Sequence, residues 1–115
     1  MLPRMQLIRQ YKASVFQALA HPTRLQILEV LRDGELSVSA ILSRVERDQA
    51  NISQHLANLR QRGLVVNRKE GNQVFYSIRA PILFEVLELM RRFSATYLDE
   101  HVALLEQMKA GSTRT

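Results

Sequence analysis

The sequence predicts a mainly α-helical fold with one β-hairpin, an α+β class, from three observations. Apolar residues recur every three or four positions up to about Arg62 and again from Pro81 onward, which is helical spacing. The period drops to two only between Leu64 and Arg79, where the residues are rich in β-formers. Two of the helical stretches are separated by only the three residues Glu46-Arg47-Asp48.

The elements follow in order. Leu7, Tyr11, Val15 and Leu19 fall at spacings of four and predict a first helix over about residues 6–20. His21-Pro22-Thr23 interrupts it, because Pro22 cannot continue a helix but suits the first turn of a new one. That second helix turns Leu25, Leu28 and Leu31 or Ile27 inward and runs to about Arg32, before Asp33-Gly34. Ser37 is a natural cap for a short third helix burying Ile41, Leu42 and Val45. Asp48 caps a fourth, Gln49 to about Arg62, in which Ile52, Leu56 and Leu59 form one apolar stripe and Gly63 is the stop. Leu64 to Arg68 and Val74 to Ile78 then predict a hairpin, with Gly71-Asn72 in the Lys69 to Gln73 connection. From Pro81 to about Lys109 the pattern is helical again, with a bend expected near Phe93 or Ser94, and Gly111 to Thr115 is expected to fray.

With 115 residues, the chain has the length of one domain, 1–115, able to bury roughly two-thirds of its unfolded surface. The longest apolar run, Val102 to Leu105, is far too short to span a membrane, and no secretory signal is expected near Met1. A cytoplasmic protein without a membrane partner is the expectation. There is no cysteine, which excludes disulfides, thiolate metal sites and cysteine nucleophiles together. No paired carboxylates, nucleophile elbow or phosphate-binding glycine loop appears, and His21, His55 and His101 lie far apart in sequence, so no enzyme is expected. The formal charge is +5, and almost all of it falls between Arg44 and Arg79, where Arg44, Arg47, Arg60, Arg62, Arg68, Lys69 and Arg79 face only Glu46, Asp48 and Glu70. A basic segment of that kind suits an anionic partner.

Two short helices joined by a three-residue turn, over about residues 37–62, form a helix-turn-helix, and the hairpin at about 64–79 adds a wing. The exposed face of the fourth helix carries Gln49, Asn51, Ser53 and Gln54, side chains that can reach base edges in a major groove. Arg68, Lys69 and Asn72 are expected near the wing tip, close to a minor groove or to phosphates. Arg60, with Arg44, Arg47 and Arg62, either meets phosphates or stays solvated. The last helix has two apolar stripes, one through Leu89, Phe93, Tyr97 and Leu104, where a monomer's surface helix needs one. The second stripe calls for a second chain, with Leu7, Tyr11 and Val15 of the first helix beside it. The alternative is a wide core-facing surface within one chain. A homodimer would set two recognition helices about one turn apart on an inverted-repeat operator in double-stranded DNA.

The strings Leu-Ala-His-Pro-Thr-Arg-Leu-Gln-Ile-Leu from Leu19, Gly-Glu-Leu-Ser-Val-Ser from Gly34, Asn-Ile-Ser-Gln-His-Leu-Ala-Asn-Leu-Arg from Asn51 and Arg-Lys-Glu-Gly-Asn-Gln-Val-Phe-Tyr-Ser-Ile from Arg68 resemble the ArsR/SmtB family of bacterial winged-helix repressors. The resemblance implies a homodimer built on the terminal helices, about 6–20 and 81–109, released from an operator by an effector. It also implies base reading from Gln49, Ser53 and Gln54, with Ala50 where a polar residue is often found. The family's Cys-Val-Cys is replaced here by Ser37-Val38-Ser39, and serine is a poor ligand for soft metals. Asp99 and His101 match half of the zinc and nickel site on the last helix, but Ser112 and Thr115 stand in the other half. No metal and no cofactor are therefore expected, with Asp99 and His101 the only candidate ligands. The residues name no effector; persulfide sensing, found in a similar branch, needs two thiols. The alternatives are a protein-interaction or anti-silencing regulator on the same fold, or a zinc or nickel sensor through the last helix.

Overall fold

Residues 3–112 are described by a computed structural model, in the order α1 (Arg4–Leu19), α2 (Pro22–Val30), β1 (Leu36–Ser37), α3 (Val38–Arg44), α4 (Gln49–Gln61), β2 (Val65–Glu70), β3 (Gln73–Ile78) and α5 (Ile82–Ser112). Contacts within the chain divide these elements into two compact units, one ending at Pro81 and one beginning at Ile82.

In the first unit, caps set the helix boundaries. The backbone N–H of Thr23 donates to His21 Nδ1 at 3.3 Å and Pro22 occupies the first turn of α2. Ser37 Oγ accepts from the Ala40 N–H at 3.1 Å and starts α3. Both satisfy amides that a helix start otherwise leaves bare. Ile27, Leu28 and Leu31 from α2 and its end, Ile41 and Val45 from α3 and its end, and Ile52, Leu56 and Leu59 from α4 are buried and make the core. Burying each such side chain contributes about 1.5–3 kcal/mol. This fixes α4 by its apolar stripe and leaves the opposite face in solvent.

α4 stops in a Schellman motif: the Leu64 N–H bonds the Leu59 carbonyl at 3.0 Å, and Gly63 takes φ +75°. The chain then enters a three-stranded antiparallel sheet of order β1-β3-β2. Two features differ from the sequence expectation. The strand β1 is too short for any periodicity to show, and it pairs Leu36 with Tyr76 and Ser37 with Phe75. The hairpin strands also extend to the pair Glu70 and Gln73, leaving a two-residue turn at Gly71-Asn72. Gly71 has φ +61° and among the described residues no non-glycine has positive φ, the pattern of a type II′ turn, whose twist suits a hairpin. Lys69 accordingly lies within β2 beside Arg68, not in the connection.

The second unit is one helix of 31 residues. The helix is continuous through Phe93 and Ser94, with no proline or glycine between Ile82 and Ala110. It runs through Gly111 and Ser112, residues expected to fray. Thr115 lies outside the described residues. Among these, no helix is long and apolar enough to cross a membrane.

Candidate nucleic-acid interface

The site begins with how α4 is held. Asp48 Oδ1 accepts from the Asn51 backbone N–H at 2.8 Å and Oδ2 from the Asn51 side-chain amide at 3.1 Å. Ile52, Leu56 and Leu59 pin the helix from below, which puts Gln49, Asn51, Ser53 and Gln54 in solvent. Asn51 is therefore partly occupied by its own cap, while the side chains of Gln49, Ser53 and Gln54 make no hydrogen bond among the described residues. Arg60 is exposed near the other end of the same helix.

The wing is placed by its register. Residues directly opposite in an antiparallel pair share a face of the sheet. Lys69 pairs with Val74 and Asn67 with Tyr76, so these four share one face; Arg68 pairs with Phe75 on the other. Val74 and Tyr76, with Asn72 and Gln73 at the turn, line a cleft of about 370 Å³ together with Ser37, Val38, Ser39 and Leu42 of the α3 region and Gln49 and Ser53 of α4. Three of the residues singled out from sequence, Gln49, Ser53 and Asn72, thus meet across one concave surface. Asn51, Gln54, Arg60, Lys69 and Arg68 do not line it. Gln73 was missed, since its position was read as loop.

Charge is distributed unevenly among the seven bases of the basic segment. Arg47 Nε donates to Thr23 Oγ1 at 3.3 Å, Arg62 donates to Ser14 Oγ at 2.5 Å, and Arg79 donates to the Gly63 carbonyl. Arg68 forms a fork on Glu35, Nε to Oε2 at 2.8 Å and Nη2 to Oε1 at 2.6 Å, and a further bond to Glu70 at 2.6 Å. These bonds lower the Glu35 carboxyl below its ordinary pKa and raise that of Arg68. Arg44, Arg60 and Lys69 have no such partner among the described residues, and of the seven only Arg68 is paired with carboxylates.

His21 and His55, distant in sequence, come together behind α4 with ring centroids 4.3 Å apart. Arg24 Nε donates to His55 Nδ1 at 3.1 Å, so that nitrogen carries no proton. Burial, with the positive charges of His21 and Arg24, lowers the His55 pKa. His101 is on α5, its Nδ1 2.8 Å from the Tyr97 carbonyl and its ring stacked on Tyr97. Among the described residues no group of three or more His, Asp or Glu could hold a metal ion.

The expected dimer faces are apolar and open. On α1, Leu7 and Tyr11 are exposed, though the Tyr11 hydroxyl donates to the Arg62 carbonyl at 2.7 Å, and Val15 is half-buried. On α5, Leu89, Phe93, Tyr97 and Leu104 are exposed, Phe93 at 73%.

A short helix-turn-helix whose second helix bares amides and a hydroxyl beside a hairpin wing is the framework of a DNA-binding transcriptional regulator. Comparison with known proteins agrees. A helix-turn-helix domain family matches residues 19–68. The regulator Rv0081 of Mycobacterium tuberculosis is 43% identical over 90% of this chain and 92% of its own. Its crystal structure superposes with a TM-score of 0.72 at 38% identity, covering 89% of this chain and 99% of that one. The transcriptional activator HlyU of Vibrio cholerae is 46% identical over 68% of this chain and 72% of its own. The solution structure of a homodimeric winged helix-turn-helix domain, Mb0332 of Mycobacterium bovis, described as a possible ArsR-family regulator, has a TM-score of 0.77 at 31% identity, covering 88% and 94%. The chain belongs to the ArsR/SmtB family of winged helix-turn-helix transcriptional regulators, which are DNA-binding proteins and not enzymes.

Proposed function

We propose that the chain acts as a cytoplasmic homodimer that represses transcription by occupying an inverted-repeat operator in double-stranded DNA. The observation that carries this is the cleft joining α4 to the wing, with Gln49, Ser53 and Asn72 facing the same space. In this reading α4 enters the major groove, where Gln49, Ser53 and Gln54 read base edges and Asn51 supports the first turn. Arg60 and Lys69 meet phosphates, and Asn72 leads the wing toward the neighbouring groove. The apolar rows of α1 and α5 are covered by a second copy, as the homodimeric state of the Mb0332 domain supports. Two symmetric readers give an operator with two-fold symmetry. An occupied operator blocks transcription most simply by excluding other proteins, and no metal or cofactor is needed for that.

The test is selection of genomic fragments by purified protein at about 150 mM salt, where nonspecific phosphate contacts are weak. It is repeated with EDTA and with zinc or nickel. Recovery of an inverted repeat is expected, with a reporter placed behind it rising when the gene is deleted. Enrichment of no motif under any condition favours a protein-interaction module, and binding lost on adding metal favours a sensor using Asp99 and His101.

A further inference from the structure

The wing carries two adjacent cations that the fold treats differently. Lys69 and Arg68 follow one another in β2, so their side chains leave opposite faces of the hairpin. Lys69 shares its face with Val74 and Tyr76, which line the cleft beside α4. Arg68 shares the other face with Phe75, and its guanidinium carbon lies 4.6 Å from the centre of that ring. The same guanidinium is forked on Glu35, in the segment between α2 and β1, and bonded to Glu70. One arginine thus ties together β2, β3 and the chain leading into β1. Two carboxylates surround it, so this corner offers no net positive charge to a phosphate.

We propose that Arg68 is a positioning residue, locked by Glu35 and Phe75 to fix the wing's angle to the recognition helix, and that Lys69 is the wing's phosphate contact. This rests on the DNA interface described above. The fork explains why arginine stands here: planar, bidentate pairing with a carboxylate while stacking on an aromatic ring is something a lysine cannot reproduce. A phosphate contact, by contrast, needs only a point charge, which Lys69 supplies.

The two roles give opposite results when affinity for the selected operator is measured across a salt series. A positioning role predicts that Arg68→Ala and Glu35→Gln each weaken operator binding, by about two- to fivefold as fits an exposed but forked pair, with no further loss in the double variant. The slope of log affinity against log salt stays at the wild-type value for Arg68→Ala and falls by about one for Lys69→Ala. Arg68→Lys, which keeps the charge and loses the fork, behaves like Arg68→Ala. Backbone amides of β2 in the free protein also exchange faster in Glu35→Gln. The proposal is overturned if Arg68→Ala lowers the slope by about one while Arg68→Lys binds normally, or if Glu35→Gln leaves binding unchanged or tightens it. Should Lys69→Ala and Gln54→Ala also be without effect on operator binding, the DNA interface itself is misplaced, a failure distinct from that of the Arg68 lock.

Discussion

Replacing Asp48 by alanine tests how the recognition helix is started. Its carboxylate accepts two hydrogen bonds from Asn51, one from the backbone N–H at 2.8 Å and one from the side-chain amide at 3.1 Å. The first turn of α4 contains no other acidic residue, so Asp48 is also the carboxylate set against the helix dipole. Loss of an N-cap of this kind costs about 1 kcal/mol, and loss of the charge about 0.3–1 kcal/mol more. The two partly overlap, and a total of about 1–2 kcal/mol is expected, equivalent to roughly 4–10 °C in Tm for a chain of this size. Asp48→Asn keeps an acceptor and loses only the charge, so it should cost about 0.3–1 kcal/mol. The assay is urea unfolding followed by circular dichroism, at one fixed protein concentration because dimerisation adds to apparent stability. Operator binding adds a second reading: a frayed first turn misplaces Gln49 and Ser53, so Asp48→Ala should weaken specific binding although it removes a negative charge from the interface. Equal stability of Asp48→Ala and wild type, or equal damage by alanine and asparagine, would refute the capping argument.

Further outcomes follow from the same geometry. At Gly63, φ is +75° and an added Cβ would sit 3.3 Å from the Tyr11 hydroxyl, whereas nothing lies within 4 Å at Gly71. Gly63→Ala should therefore cost at least the about 1–2 kcal/mol of a left-handed alanine, read from the urea midpoint. His55 has a folded pKa below the ordinary 6.5 because of burial first, then the His21 and Arg24 charges. The unfolded chain takes up that proton more readily, so stability is full above about pH 6.5 and declines as the pH falls below it. His55→Gln should flatten this acid-side loss in a Tm series from about pH 7.5 to 5. Phe93 is 73% exposed on α5, and Phe93→Asp should weaken self-association at least tenfold in sedimentation, the effect of a charge in an apolar interface at about 1.4 kcal/mol or more. An unchanged dimer would remove that face from the interface.

The helix-turn-helix was legible because its signals are local. Ser37 and Asp48 cap the helices they precede, and Ile52, Leu56 and Leu59 declare the buried stripe of α4. The polar face followed as the remainder. The wing was legible as a hairpin but not in its register, since Lys69 to Gln73 has no apolar alternation to extend the strands. What sequence could not show were pairings over long separation. Glu35 meets Arg68 across 33 residues, and β1 exists only through its partners on β3. Net charge was equally blind to where each base lands: Arg47, Arg62 and Arg79 bond neutral oxygens of Thr23, Ser14 and Gly63, and of the four Arg68 alone meets carboxylates.

The central claim is that α4 reads bases, and Gln54→Ala tests it most directly. Affinity is measured by fluorescence anisotropy for the selected operator and for a random duplex of equal length, at the same salt. The account predicts a loss of about 1–3 kcal/mol on the operator and almost none on the random duplex, since a base contact discriminates and a phosphate contact does not. Equal losses on both duplexes, or none on either, would contradict it.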